Sequence, residues 1–448
     1  MSIRTHRYLP VLALILAGAL APQAQASGFQ LREQSASSQG NAFAGASAGA
    51  QDISSMFWNP ATMSLFDGTQ VFAGATYIGV HMDLSGANGT RAAAFDPSVS
   101  QISGGPDLPN AVNQPTVPAL YVTWAASKDL SLGIAVNAPF GFITNYPDSF
   151  IGRYYGLETN LKIIDITPSI SYRVSPDWTI GAAFIARKCN ATLSNMVDFG
   201  AIGAANKLPG FTPGMEDSKA TLTGDCWAYG FKLGATWQAT KDLRFGLGYQ
   251  AATTLSVKGN VAYSSIPALL SSEVQNGGAS ASVSLPATAS LGFTYDINPT
   301  VSFQGEVAWT GWSKFQQLEV KFDNGAPSDV TNENWNNSWF GSVGVIWKVT
   351  PATSLKAGLA YDEAPVGDGH RTPRIPDANR EWVSVGAGHA FTKDFSMDLG
   401  LTQVFASTVS LALQSGDTPA SANFFRGNLT GSYKVGATVA SISAKYRF

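Results

Sequence analysis

Large apolar residues alternate with small or polar residues along most of the chain after about residue 69. The clearest run extends from Trp227 to Trp237, where every second residue is large and apolar. The segments 243–250, 289–296 and 395–402 show the same period of two. This period is typical of β-strands with one apolar face and one polar face. We therefore predict an all-β structure.

Two kinds of connection join these strands. Short segments rich in Pro, Asn and Asp predict tight turns, and they lie at 127–129, 175–177, 240–242, 297–299, 349–351 and 392–394. Longer and less regular connections lie near 84–115, 139–158, 199–217, 262–281, 323–333, 365–379 and 415–428. Short and long connections alternate throughout, so six turns and seven loops join fourteen strands.

An even number of strands, with all long loops at one end, is typical of bacterial outer-membrane barrels. A soluble β-sandwich has no reason to place its long loops this way. We predict a fourteen-stranded antiparallel transmembrane β-barrel over residues 69–448, with both chain ends on the periplasmic side. Charged residues make up 13% of the chain, about half the usual ~25%. The formal net charge of −3 and the lack of a basic cluster give no sign of a nucleic-acid partner.

The first 26 residues have the pattern of a secretory signal peptide. Arg4 and Arg7 precede a mostly apolar stretch from Leu9 to Leu20, and Ala24-Gln25-Ala26 fits a cleavage site. The alternative is a membrane anchor, but the stretch is shorter than the roughly 20 apolar residues that a spanning helix needs. We therefore predict cleavage after residue 26 and export.

Residues 27–68 do not alternate, and we predict that they form a hatch that plugs the barrel. A barrel of this size has an interior that must be filled. Asn59 and Pro60 are suited to cap and begin a short helix at Ala61–Phe66. The alternative, a disordered periplasmic tail, is disfavoured because the segment contains many large apolar residues.

The last strand, Ala440–Phe448, alternates and ends on an aromatic residue. This ending resembles the signal that the outer-membrane barrel assembly machinery reads. We therefore expect that machinery and outer-membrane lipids as partners, and a monomer in the bacterial outer membrane.

Cys189 and Cys226 are the two cysteines of the chain. They lie on the predicted fifth and sixth strands, which form a hairpin, and both fall on its inner face. Export to an oxidising compartment favours a cross-strand disulfide. Two free thiols are the alternative.

Enzymatic and metal chemistry find little support in the sequence. Gly45–Gly49 matches the G-x-S-x-G pattern of hydrolases, but no buried strand precedes it, as that motif requires. Four scattered histidines give no metal-binding pattern. We expect no catalytic residue, no metal and no cofactor.

Several motifs resemble those of the FadL-type family of outer-membrane transporters for long-chain fatty acids and hydrocarbons. The resemblance spans the mature chain, and its most specific motif is Asn59-Pro60-Ala61. The other matching segments are 27–31, 57–58, 137–141, 152–156, 309–313 and 371–377. The resemblance implies a fourteen-stranded barrel with an N-terminal hatch.

The resemblance also implies a route for a hydrophobic small molecule. Capture would occur in a groove between loops 199–217 and 262–281, through Phe211, Ile266, Leu269 and Leu270. The molecule would then reach an interior pocket, where Gly28, Phe29 and Leu31 of the hatch bind it. The same three residues together with Gln30 are the candidate gate. Asn59 and Pro60 are the further hatch residues expected in gating.

Lateral exit through the wall completes the implied route. The resemblance places the opening at an inward kink of the third strand, at Asn137, Pro139 and Gly141. Exit into the membrane suits a fatty acid, because its tail gains about 0.8 kcal/mol per CH₂ kept out of water.

A carboxylate ligand needs a cation near the pocket. We predict that Arg187 and four lysines face the lumen, and we take Arg187 as the candidate substrate ligand; the lysines are Lys162, Lys232, Lys321 and Lys356. The family often has a basic residue just before the stretch that is Leu193-Ser194-Asn195 here, whereas residues 189–192 contain none. This departure keeps transport of aromatic or other neutral hydrocarbons open beside fatty acid transport. A lipase or esterase is a third hypothesis, and an open porin is disfavoured by the hatch.

Overall fold

The computed structural model describes residues 28–49, 51–112 and 114–448. The predicted signal peptide, residues 1–26, lies outside the described residues. Among the helices in the described part of the chain, none has the length and apolar character needed to cross a membrane.

Nineteen strand segments form one antiparallel sheet in the described residues. Their bounds are β1 Thr69–Thr90, β2 Thr116–Ala125, β3 Leu130–Asn145, β4 Glu158–Arg173, β5 Trp178–Asp198, β6 Asp217–Thr240, β7 Leu243–Gln250, β8 Thr253–Tyr263, β9 Gly277–Leu285, β10 Thr288–Asn298, β11 Val301–Thr310, β12 Gln317–Phe322, β13 Asp329–Asn332, β14 Ser338–Lys348, β15 Thr353–Asp362, β16 Arg380–Ala390, β17 Phe395–Ala406, β18 Val409–Leu413 and β19 Asn428–Arg447.

The segments combine into fourteen barrel strands. Five strands are interrupted and consist of the pairs β7–β8, β9–β10, β11–β12, β13–β14 and β17–β18. Pairing of β1 with β19, from Gln70 opposite Arg447 to Thr90 opposite Asn428, closes the sheet on itself. The prediction of a fourteen-stranded antiparallel barrel is confirmed.

The short turns lie where the sequence predicts them, but several loops are shorter than predicted. Strand β1 continues to Thr90 and β3 continues to Asn145, beyond the predicted loop starts at 84 and 139. The β1 extension is mostly small and polar, and the β3 extension has Pro139 followed by a mostly apolar run, so neither shows the apolar–polar alternation by which the sequence marks a strand.

The outward face of the barrel is apolar between two rings of aromatic residues. Trp178 and Trp237 stack near the periplasmic turns, with ring centroids 5.6 Å apart. Trp227 is 53% exposed and lies ten residues from Trp237 along β6. At a rise of ~3.3 Å per residue and a tilt of ~40°, this separation corresponds to about 25 Å, the height of the apolar band of such barrels.

The residues before β1 lie inside the barrel and are mostly buried. They contain the helix α1 and three short 3-10 helices; the bounds are Ala36–Gln39 for α1 and Ala46–Ala48, Ile53–Phe57 and Pro60–Leu65 for the 3-10 helices. A Cβ at Gly246 of β7 would lie 1.9 Å from the Ser47 carbonyl oxygen. The wall therefore needs glycine where the hatch approaches it.

Asn59 fixes the hatch to the wall. Its side chain accepts a hydrogen bond from the Ala61 amide at 2.9 Å and donates to the carbonyls of Ser47 and Ala235 at 2.7 and 2.9 Å. The helix that it caps begins at Pro60 and is a 3-10 helix, whereas we expected a helix over Ala61–Phe66. The two residues predicted to act in gating therefore form an anchor between hatch and β6.

The prediction of five lumen cations is wrong for Lys162 and Lys321. Both are exposed on the outward face of the barrel. Lys162 is adjacent to the buried, inward-facing Ile163, so its own side chain points to the opposite face. Lys321 lies on the same face as Glu319, with which it forms an ion pair. The other three cations, Arg187, Lys232 and Lys356, are buried and face inward.

The described loops hold the remaining helices. These are α2, Phe199–Ala205, and the 3-10 helices Pro97–Val99, Ala268–Leu270 and Trp312–Lys314. The loop between β3 and β4 packs over the extracellular end of the barrel, where Arg153 binds Asp217 at 3.0 Å.

Candidate functional site

The first described residues, 28–33, form what we call the hatch tip, and they lie against β3. The Leu31 amide donates to the Pro139 carbonyl at 2.8 Å, and the Gly141 amide donates to the Phe29 carbonyl at 3.1 Å. Gln30 and Phe140 form an antiparallel bridge. The hatch tip is thus paired to β3 as a short strand would be.

Strand β3 bends where it meets the hatch tip. Its pairing with β4 shifts register between Asn137 and Phe140, which places one extra residue on β3. Pro139 lies in this shift and has no amide hydrogen to donate to a ladder. The three residues predicted for the kink therefore lie at an irregular part of the wall.

The same bend separates β3 from β2. Their ladder ends at Ala119 opposite Asn137, and a single bridge pairs Val112 with Thr144 farther along. We call the stretch between these two positions the wall gap. It is flanked by β2 on one side and by the hatch tip on the other.

Phe29 is enclosed by four aromatic side chains, which we call the aromatic box. The ring centroids lie 4.7 Å from Trp312, 5.8 Å from Trp335, and 6.1 Å from both Phe315 and Phe140. Phe29 is 3% exposed. Its side chain therefore fills the space that the box offers.

Gly28 is held at the end of the tip by Asp377. The Gly28 amide donates to the Asp377 carboxylate at 2.8 Å, and Asp377 also pairs with Arg380. Burial raises the pKa of the Asp377 carboxyl above its ordinary value. The φ of Gly28 is +66°, and a Cβ there would lie 2.5 Å from Trp335, so this position requires glycine.

A cavity of about 310 Å³ connects the hatch tip with the wall gap. Its lining is mostly apolar, including Ile78, Val80 and Val439. Charged side chains cluster at the hatch end, namely Arg32, Glu33, Asp362, Asp377 and Arg380, and Lys162 lines the outer side. An apolar space with a few polar groups at one end is typical of a site for a small hydrophobic ligand.

Arg187, our candidate substrate ligand, is already paired. Its Nε and Nη2 atoms donate to the two carboxylate oxygens of Asp165 at 2.7 and 2.6 Å. Both residues are fully buried. Arg187 also lies over the Phe140 ring, 5.1 Å from its centroid, so it supports the wall beside the aromatic box.

Cys189 and Cys226 lie directly opposite each other on β5 and β6. They form a disulfide with an S–S distance of 2.06 Å. Both belong to the buried cluster that contains Phe29 and Phe140. The disulfide therefore joins the wall behind the aromatic box.

The predicted capture residues lie in two neighbouring external loops. Phe211 is half-buried against Gly203 of α2. Leu269 is 58% exposed and Leu270 is buried, and Ile266 is half-buried just before them. A hydrogen bond of 2.6 Å from the Ser218 hydroxyl to the Ser265 carbonyl joins the start of β6, just after the first loop, to the second loop.

Sequence reasoning missed most of the residues that surround Phe29. Trp312 and Asp377 lie in segments singled out only as family motifs, and their position beside the N-terminus had no local signal. Trp335 and Arg380 carried no motif at all. Large aromatic residues in predicted external connections, such as Phe315 and Trp335, are a signal that could have found them.

Ser47 has no surroundings suited to a nucleophile. It is fully buried, and its hydroxyl donates to the Glu306 carboxylate at 2.7 Å and to the Gly246 carbonyl at 3.3 Å. In the described chain, no group of three or more metal-binding side chains is positioned to hold a metal ion.

Comparison with known proteins decides the family. Residues 17–448 match the family described as "Outer membrane protein transport protein (OMPP1/FadL/TodX)". The chain belongs to this family. It is an outer-membrane β-barrel, as the sequence predicted.

Relatives of this family cover nearly the whole chain. The long-chain fatty acid transport protein of Escherichia coli O6:H1 is 29% identical over 424 residues, which is 89% of this chain and 91% of that protein. Outer membrane protein P1 of Haemophilus influenzae is 27% identical and covers 84% of this chain and 85% of its own.

Solved structures show the same fold. A FadL homologue from Pseudomonas aeruginosa has a TM-score of 0.82 at 24% identity, covering 94% of this chain and 100% of that chain. The toluene transporter TodX of Pseudomonas putida has a TM-score of 0.68 at 17% identity, with the same coverage.

Proposed function

We propose that this protein is a passive transporter that carries long-chain fatty acids across the outer membrane. The observation that carries the proposal is the cavity of about 310 Å³, which runs from the hatch tip to the wall gap. The named function of the Escherichia coli relative supports fatty acids as the cargo. The protein acts without catalysis, cofactor or metal.

The proposed route has three steps. A hydrophobic molecule binds first between the loops that hold Phe211 and Leu269. It then enters the interior cavity as the hatch tip withdraws Phe29 from the aromatic box. It leaves sideways through the wall gap, so its tail passes into the membrane and stays out of water. The expected partners are outer-membrane lipids and the barrel assembly machinery, and the protein functions as a monomer.

Transport of aromatic or other neutral hydrocarbons is the second candidate. Two observations favour it, namely the mostly apolar cavity lining and the ion pair that occupies Arg187. The fold likeness to a toluene transporter adds nothing on substrate at 17% identity. Comparing the uptake of labelled oleate and labelled toluene, in cells with and without the protein, separates the two candidates.

A variant that fills the wall gap tests the route. Gly141 lines the cavity and lies between the two β3 positions that bound the wall gap. A Cβ there would lie 3.3 Å from the Leu161 carbonyl oxygen and 3.6 Å from Leu31 Cδ1, so Gly141→Phe adds a large side chain at the gap beside the hatch tip. We expect oleate uptake to fall at least tenfold. Gly341→Phe is the matched control, because nothing lies within 4 Å of a Cβ at Gly341. Equal uptake by both variants contradicts lateral exit.

A further inference from the structure

A polar depression of about 470 Å³ lies on the outward face of β4, β5, β6 and β8, and we call it the outer pocket. Lys162, Asn190, Asp225 and Lys258 line it and lie directly opposite one another in a row across these strands. Each is exposed and adjacent to a buried residue that faces inward. Since successive side chains of a strand point to opposite faces, all four point out of the barrel.

The outer pocket lies at the extracellular edge of the apolar band. On β4, the outward residues that follow Lys162 toward the periplasm are apolar and exposed, beginning with Ile164 and Ile166. On β6, the next outward residue after Asp225 is Trp227, and Lys188 lies 5.7 Å from the centroid of its ring. Aromatic residues of this kind mark the membrane interface in outer-membrane barrels. The outer pocket therefore faces the headgroups of the outer leaflet.

The outer pocket has an excess of positive charge. The carboxylate of Asp225 forms an ion pair with Lys188 on the neighbouring strand. In the described part of the chain, neither Lys162 nor Lys258 has an ion-pair partner or a hydrogen-bond acceptor for its ammonium group. Two lysines with unused charge thus flank a polar surface at the membrane boundary.

The opposite side of the barrel has a different charge pattern. There the outward Lys434 of β19 lies directly opposite Asp83 of β1, and the exposed residue at the start of β16 is Glu381. The positive excess is therefore a feature of the outer pocket and not of the whole extracellular edge.

The spacing of the two lysines indicates the kind of anion that fits. Three strand spacings of ~4.8 Å separate Lys162 from Lys258, which amounts to about 14 Å between their backbones. Lysine is a common phosphate ligand because its ammonium group acts as a point charge with three donors. The short side chains of Asn190, Thr192 and Asn260 line the space between the lysines and can bond to hydroxyl groups. The outer pocket therefore suits a sugar headgroup that carries two phosphates.

We propose that the outer pocket binds a phosphorylated glycolipid of the outer leaflet, with Lys162 and Lys258 each binding one phosphate. The acyl chains then lie along the apolar outward face that begins at Ile164. Lys162 also lines the outer side of the cavity, so the bound lipid lies beside the wall gap. This inference goes beyond the proposed function, because it requires the outer-membrane location and no particular cargo.

The test measures the binding of diphosphoryl lipid A to the purified protein in detergent by native mass spectrometry. A chelator is present, so that divalent cations do not neutralise the phosphates. We expect the double substitution Lys162→Gln and Lys258→Gln to raise the dissociation constant about 30-fold, since each lysine near an anionic lipid contributes roughly a factor of five. Lipid A without its two phosphates is expected to bind the wild type and the double variant equally.

Lys434→Gln is the matched control, because it removes one exposed outward lysine on the opposite side of the barrel. We expect it to change lipid A binding less than about twofold, and thermal unfolding verifies that each variant has folded. Unchanged lipid A binding in the double variant, or an equal loss in Lys434→Gln, overturns the inference. Inorganic pyrophosphate that binds the wild type as tightly as lipid A overturns the lipid as occupant. Oleate uptake tests the transport proposal separately, so either proposal can fail alone.

Discussion

Phe29 holds the hatch tip in place by packing in the aromatic box, so its truncation should raise the population of the undocked tip. The Phe29→Ala substitution removes a ring that is 3% exposed and contacts four aromatic side chains. Truncating a buried Phe to Ala costs about 3–5 kcal/mol. The two backbone hydrogen bonds to β3 and the bond from the Gly28 amide to the Asp377 carboxylate remain, and each contributes about 0.5–1.5 kcal/mol. Most of the stabilisation of the docked tip is therefore lost.

Hydrogen exchange of the Leu31 amide measures this loss, because that amide donates to Pro139 when the tip is docked. A loss of about 3 kcal/mol corresponds to more than a 100-fold rise in the open population, at about 1.4 kcal/mol per factor of ten. We therefore expect exchange at Leu31 to accelerate by at least about 100-fold in the variant.

Phe43→Ala is the control for this experiment. Phe43 is also a fully buried hatch residue, but it packs on Trp58 and Trp382 instead of the aromatic box. We expect it to destabilise the middle of the hatch and to leave exchange at Leu31 nearly unchanged. Exchange at Leu31 that is the same in Phe29→Ala and the wild type, or equally fast in both variants, would refute the reasoning.

Three further predictions concern the surroundings of the tip. Gly28→Ala places a Cβ 2.5 Å from Trp335 at a φ of +66°, so we expect faster exchange at Leu31 without a change in the unfolding temperature of the barrel. Replacing Cys189 and Cys226 by Ala removes a disulfide with a sequence separation of 37. We expect the free energy of unfolding to fall by up to about 4 kcal/mol, which lowers the unfolding temperature. An unchanged unfolding temperature contradicts this prediction. Burial raises the pKa of Glu333 from 4.5 to about 7. Between these two pH values the folded protein keeps a proton on Glu333 that the unfolded chain releases. The free energy of unfolding therefore falls as the pH rises from about 4.5 to 7. Glu333→Gln removes that component, and unfolding temperatures across this pH range test it.

The barrel was predictable because its pattern is local. Alternation along runs such as Trp227–Trp237, together with the order of turns and loops, is sufficient to give the strand number and the orientation. Each strand has one face toward lipid, and that requirement is visible in every segment. The extensions of β1 and β3 were missed because neither alternates: the β1 extension is mostly small and polar, and the β3 extension has a mostly apolar run after Pro139.

The candidate site was less predictable because it is assembled from distant segments. Phe29 contacts Trp312 and Trp335, which follow it by about 300 residues, and nothing local marks that contact. The prediction for Arg187 rested on its charge and its inward face, and neither reveals that Asp165 lies opposite it. Lys162 was placed on the wrong face because its charge suggested the lumen, whereas it shares the outward face of β4 with the apolar Ile164 and Ile166.

The pairing of the hatch tip with β3 has a consequence for how the wall can change. The β4 edge of β3 is occupied from Phe140 to Asn145, so the tip binds the opposite edge, which β2 occupies at Asn137 and below. Seven positions separate Ala119 from Val112, and seven separate Asn137 from Thr144, so the bridge at Val112 has the same register as the β2–β3 ladder. The hatch tip and β2 therefore compete for the same backbone N–H and C=O groups on this edge of β3. Because such groups need partners within a membrane, complete departure of the tip would favour pairing of β2 with β3 and close the gap, so lateral exit requires that Phe29 leaves the aromatic box while the tip backbone stays paired with β3.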